Sequence, residues 1–158
     1  MTIRNRACSR AAGFVAAVLF ALCAASALAG DFFEKEGVAI RGYDPVSYFK
    51  ESKPVRGSPG HKAEFGGSTF QFASQANRDA FAADPARYAP QYNGFCAFGV
   101  AGGYKAAIDP AAFTIVDNKL YLNYNANVQK QWRADVPGFL AKGDKNWPRV
   151  AKQTKVIE

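Results

Sequence analysis

The sequence predicts an α+β fold: one small domain over residues 30–158, built from two β-hairpin-plus-helix (ββα) units with short C-terminal helices. Three observations carry this. First, the order β-rich run, turn, β-rich run, capped helix occurs twice, in "KAEFGGSTFQFASQANRDAF" and in "AFTIVDNKLYLNYNANVQKQW". Second, the punctuation recurs at one spacing. Gly66-Gly67, Ser74, Phe81 and Asp84 are each followed 51 residues later by Asp117-Asn118, Asn125, Trp132 and Asp135. Third, each unit alone is too small to bury a good core, so the two are expected to share one. The apolar parity of the second strands does not follow the offset. Phe70 and Phe72 fall opposite Tyr121 and Asn123, not Leu120 and Leu122.

Residues 1–29 read as a cleavable secretory signal peptide. Arg4, Arg6 and Arg10 form a charged start, an uncharged apolar run follows, and Ala27 and Ala29 offer a small-residue cleavage site. The run is short for a membrane span, so no span is expected after cleavage, and a bacterial periplasm is the expected location. In the remaining chain, "VAIRGYDPVSYFK" reads as a short strand and then a turn or short helix opened by Asp44-Pro45. "ESKPVRGSPG" is a loop. The first hairpin turns at Gly66-Gly67, Ser74 caps its helix, and Asp84-Pro85 starts a further turn carrying Tyr88. "PQYNGFCAFGVAGG" reads as an irregular glycine-rich link. The second hairpin turns at Asp117-Asn118, Asn125 caps its helix, and Pro137-Gly138 ends it. "FLAKGDKNWPRVAKQ" is expected as short helical pieces with a cap at Asn146, and the last residues as a frayed end.

Losing the signal peptide narrows the chemistry. The basic count falls from 20 to 17 against 13 acids, and the net charge from +7 to +4. That excess is scattered, so nucleic acid is not an expected partner. Cys8, Cys23 and Met1 leave with the signal, so residues 30–158 keep one cysteine, Cys96, and one histidine, His61. A disulfide within the chain and a zinc cage of several cysteines are thereby excluded.

"YDPVSYF", then "FQFAS", then Phe81, Asp84, Pro85 and Tyr88 in an F-x-x-DP-x-x-Y pattern resemble the YHS domain family over residues 43–90. The longer run through "NGFCA", "VDNKLYLNY" and "NWP" is similar to a subgroup of exported bacterial YHS proteins. The resemblance implies a metal-handling role, with copper or zinc the expected ions and cysteines the ligands. At the positions where the family places its cysteines this chain has Ser47, Ala73 and Asn77.

What remains is a small set of candidates. Cys96 suits a soft metal ion such as Cu(I), or serves as a small buried hydrophobe, or forms a dimer through a disulfide between copies. His61 completes a metal site if it and a carboxylate meet Cys96; otherwise it is an exposed loop residue. Tyr88, Tyr92, Phe95, Phe98 and Tyr104 form a ligand pocket with Cys96 at its floor and Asn93 orienting a small ligand, or they pack between the units. Asp44, Asp84 and Asp135 fit caps better than catalysis. The functional readings are a periplasmic, non-enzymatic binder of a metal ion or small ligand; a structural or protein-interaction module whose YHS framework has lost its ligands; and, last, a Cys-dependent redox enzyme, which would need a depressed thiol pKa and has no resolving cysteine in residues 30–158.

Overall fold

The computed structural model describes residues 30–158, so the expected signal peptide lies outside the described residues. The chain begins with two short antiparallel strands, β1 (Glu34–Lys35) and β2 (Val38–Ala39), and a short helix α1 (Ser47–Lys50). The first unit follows: β3 (Ser58–Phe65), β4 (Ser68–Phe72), α2 (Gln75–Ala83) and α3 (Pro85–Tyr88). Then come α4 (Ala97–Gly102) and β5 (Lys105–Ala106), and the second unit: β6 (Asp109–Val116), β7 (Lys119–Asn123), α5 (Ala126–Ala134) and α6 (Val136–Val150). A last strand, β8 (Val156–Ile157), pairs in parallel with β5. The fold is α+β, as the sequence predicts.

The two hairpins superimpose residue by residue in their pairing. Phe65 pairs with Ser68 and Lys62 with Gln71; 51 positions on, Val116 pairs with Lys119 and Phe113 with Leu122. Even the register shift recurs, between Ser58 and Lys62 in one hairpin and between Asp109 and Phe113 in the other. Both turns use left-handed residues, Gly66-Gly67 and Asp117-Asn118, which glycine, asparagine and aspartate tolerate best. The caps match too. Ser74 accepts from Asn77 N at 3.2 Å and Asn125 from Val128 N at 2.9 Å.

The parity conflict on β7 resolves through burial. On β4 buried and half-buried residues alternate, whereas Leu120, Tyr121, Leu122 and Asn123 are all buried. Tyr121 stacks on Trp132 with ring centroids 5.3 Å apart, as Phe70 does on Phe81 at 5.0 Å. So the register is shared, and β7 is covered on both faces. The units interlock as well: Tyr48 of α1 donates its hydroxyl to Pro110 O at 3.0 Å and lies 4.9 Å from the Phe113 ring.

Three expectations change. The glycine-rich link is helical over α4, closed by Gly103 in the left-handed region. The C-terminal pieces are one 15-residue helix, because Pro137 lies in its first turn, where proline is favoured, and Asp135 caps Gly138 N at 3.0 Å. Asn146 therefore caps no helix of its own; its amide donates to Ala101 O at 2.9 Å, closing the end of α4. The tail is ordered rather than frayed, with Ala107 N donating to Ile157 O at 2.8 Å.

Candidate functional site

The equivalence of the units extends upstream of the hairpins. Ile40, Arg41 and Gly42 are three successive left-handed residues, and so are Tyr92, Asn93 and Gly94, offset by 52. After them come Tyr43-Asp44 in the first unit and Phe95-Cys96 in the second. Cys96 thus stands where the first unit has Asp44.

Asp44 is fully buried. Its Oδ1 accepts from Val46 N at 2.8 Å and Ser47 N at 3.3 Å; its Oδ2 accepts from Ala73 N at 2.9 Å and Asn77 Nδ2 at 2.7 Å. The Ser47 hydroxyl donates to Asp44 O at 2.8 Å. The three positions where the YHS resemblance places cysteines therefore converge on one carboxylate, whose oxygens are saturated by donors. No thiolate is present and no lone pair is left aimed at a cation, so a soft metal ion does not fit this centre.

In the second unit the same work is divided. Phe98 N, the counterpart of Val46 N, donates at 3.3 Å to the side-chain oxygen of Asn123. The Cys96 thiol lies 3.8 Å from that oxygen and donates to it. Burial pushes the pKa of the thiol up, while the N–H groups of Gly99, Tyr124 and Phe98 pull it down. The net direction is upward, so the sulfur is held as a thiol, a poor nucleophile and a poor metal ligand.

Cys96 floors a cavity of about 280 Å³, whose walls are Phe98, Tyr104, Ala106, Tyr124, Val128 and Ile157. Its rim is distinctive. The large hydrophobics most exposed among the described residues are Tyr104 at 37%, Tyr124 at 37% and Ile157 at 46%, and all three line this cavity. The C-terminal strand brings Ile157 there from the far end of the chain.

A profile of the YHS domain matches residues 46–92. This segment is a YHS domain. The YHS segment contains the whole first unit, from α1 through α3, close to the 43–90 expected from the motifs. The second unit lies outside the YHS match yet repeats its strand register and caps. No curated protein and no solved structure matches the chain.

The candidate residues are distributed as follows. Phe98 and Tyr104 join Cys96 at the cavity. The other four lie elsewhere, for physical reasons. Tyr88 is edge-on to Phe49 at 5.5 Å with the Arg87 guanidinium over its ring. Tyr92 donates its hydroxyl to Asp144 at 2.8 Å and packs against Tyr121 and Trp147. Burial and that carboxylate drive its pKa far above the ordinary tyrosine value. Asn93 is left-handed and donates to Asp31 O at 3.1 Å. Phe95 packs on Phe33, beneath the Lys105 ammonium. His61 sits in β3 of the first unit, and the walls of the Cys96 cavity do not include it. Among the described residues, no group of three or more His, Cys, Asp and Glu side chains could hold a metal ion.

Sequence reasoning missed Asn123, Tyr124, Ala106, Val128 and Ile157. Asn123 left a signal: the offset of 51 sets it against Phe72, an amide where the first unit needs a phenyl ring.

Proposed function

We propose that this YHS protein is an exported, non-enzymatic binding protein whose Cys96 cavity holds a small, largely apolar ligand. One observation carries the reading: the most exposed large hydrophobics of the described chain ring a single cavity with a thiol at its floor. Apolar walls with one or two polar groups are the ordinary composition of small-molecule sites. Export to the periplasm rests on the charged, apolar and small-residue order of residues 1–29. The copper or zinc role implied by the family finds one protonated thiol and one amide at this place, not a ligand set.

The test is titration with ethylbenzene, followed by the methyl resonances of Ile157 and the ring resonances of Tyr104 and Tyr124. Saturable shifts are expected, and Tyr124→Asp at the rim weakens binding about tenfold or more, since a charge enters an apolar wall. Absence of any saturable shift overturns the reading. Cu(I) titration decides the metal version in parallel. Uptake by the wild type that Cys96→Ala abolishes replaces the small-ligand reading with a metal site; equal uptake by both leaves the small-ligand reading in place.

The rim also favours a second reading, an interaction module. Tyr104, Tyr124 and Ile157 offer a seat for an apolar side chain of a partner protein. A dimer through a Cys96 disulfide requires that wall to open first, because the sulfur is buried.

A further inference from the structure

We infer that Lys35, Arg41 and Arg56 form a receptor for a dianionic oxyanion of the phosphate type, apart from the Cys96 cavity. The inference does not depend on the small-ligand reading above, because none of these three residues lines that cavity.

The three cations line one hollow of about 180 Å³, together with Val38 and a single acid, Glu36. Lys35 lies on β1 and Arg41 just after β2. Arg56 arrives from the loop before β3, where its backbone bridges to Tyr43. Lys35 is already paired with Glu158 at 3.3 Å. The two guanidinium groups differ from it. Among the described residues neither takes part in an ion pair. Arg56 lies over the Tyr43 ring at 5.6 Å, which holds its position without neutralising it. Arg41 is half-buried, and its Nε is shut off from water without gaining a partner. Part of a positive charge has therefore lost its hydration and received no counter-charge. An anion in the hollow supplies that counter-charge to the guanidinium as a whole, whichever of its N–H groups make the contact.

The second unit serves as an internal control. Arg41 (φ 59, ψ 24) and Asn93 (φ 51, ψ 33) occupy the same left-handed place in their runs. Asn93 donates from there to Asp31 O at 3.1 Å, and asparagine suits that conformation. Arginine does not, so the backbone gives no reason for Arg41. Arg56 can be matched in the same way. Asp44 N donates to Val55 O at 2.9 Å and Cys96 N to Ala106 O at 3.1 Å, which sets Ala107 against Arg56. Ala107 is buried. The shared frame thus closes with an amide and a methyl group, and both guanidinium groups are additions of the first unit. Two cations that the frame does not need, brought to one hollow, point to a ligand.

The class of anion follows from charge and size. Three cations against one acid suit two negative charges better than one. Guanidinium forks match the oxygens of a tetrahedral oxyanion in pairs. At about 30 Å³ per water-sized group, the hollow takes on the order of six heavy atoms. That admits one phosphate group and leaves the rest of a larger molecule in solvent.

Calorimetric titration with methyl phosphate and with acetate, at about pH 8 and matched ionic strength, tests this. There a phosphate monoester carries two charges and acetate one. Methyl phosphate is expected to bind saturably and about tenfold more tightly than acetate. Arg41→Asn and Arg56→Ala install the residues of the second unit, and each is expected to weaken methyl phosphate about tenfold or more. Lys130→Gln removes the same charge from an exposed place on α5 and is expected to change it less than about twofold. Absence of saturable binding overturns the inference. Equal weakening by Lys130→Gln and Arg41→Asn overturns the site, since net charge alone then explains the binding. Equal affinity for acetate overturns the dianion class. If Arg41→Asn does not fold, Arg56→Ala decides. Phosphatidylcholine vesicles with and without phosphatidic acid then identify the source. Co-sedimentation that methyl phosphate displaces assigns a lipid headgroup; no displaceable co-sedimentation assigns a soluble phosphate monoester.

Discussion

In the first unit one carboxylate, Asp44, gathers four donors; in the second unit a thiol and an amide share the equivalent place. Around these centres the backbones match down to the register shift. The difference shows what a buried carboxylate contributes and what its loss permits. Asp44 ties α1, the end of β4 and the start of α2 together. Cys96 is smaller and neutral, forms weaker hydrogen bonds, and opens onto a cavity. One scaffold thus carries a closed, structural centre and an open, adaptable one.

The sharpest test of that contrast is stability. Asp44→Ala strands Val46 N, Ser47 N, Ala73 N and Asn77 Nδ2, and is expected to cost about 4 kcal/mol or more in urea unfolding. Cys96→Ala, at the equivalent place, is expected to cost about 1–2 kcal/mol, the loss of a small buried group beside a cavity. Equal costs for the two substitutions would break the comparison.

The next effect depends on pH. The folded thiol titrates above its ordinary value of 9.0 because of burial. The neutral thiol is therefore favoured in the native state, and its contribution is intact below about pH 9 and lost as pH rises further. The stability gap between wild type and Cys96→Ala should stay constant from pH 6 to 8. Above pH 9 it should narrow, with a slope of at most about 1.4 kcal/mol per pH unit. A gap that instead widens as pH rises from 6 to 8 would mean a folded thiol pKa below the unfolded one, and so a reactive thiolate.

The smallest effect concerns the turns. Asn118 is left-handed where the first hairpin has Gly67. Asn118→Gly should move stability by about 0.5 kcal/mol at most, since asparagine already tolerates that conformation. A loss beyond about 1 kcal/mol would mean that the second turn depends on its side chain and is not a copy of the first.

Much of this fold is written locally in the sequence. Ser74, Asp84, Asn125 and Asp135 cap helices because their side chains reach N–H groups three residues on, and such signals survive without knowledge of the rest of the chain. The helix after Cys96 is a different case. Gly99, Gly102 and Gly103 erase its pattern, and it is held by α6, whose Asn146 caps it from 45 residues away. The pairing of β5 with β8 is equally non-local. At the site, Cys96 was visible as the lone thiol, and Phe98 and Tyr104 as its aromatic neighbours. Tyr88, Tyr92, Asn93 and Phe95 were near in sequence but turn to other partners: Tyr88 is held at the end of α3 against Phe49, and the left-handed run Tyr92-Asn93-Gly94 turns the chain between it and Cys96. Ile157 could not have been found from spacing at all, since only the parallel pairing delivers it.

That tail strand gives the protein a built-in reporter. β8 is two residues long and is steadied by a surface ion pair between Lys35 and Glu158 at 3.3 Å, an interaction that contributes little. Such a segment opens far more often than the core. Whatever fills the space under Ile157 holds the segment shut. Occupancy can therefore be timed with carboxypeptidase, by how slowly the last residues are released, and a compound collection can be screened that way before any native ligand is known.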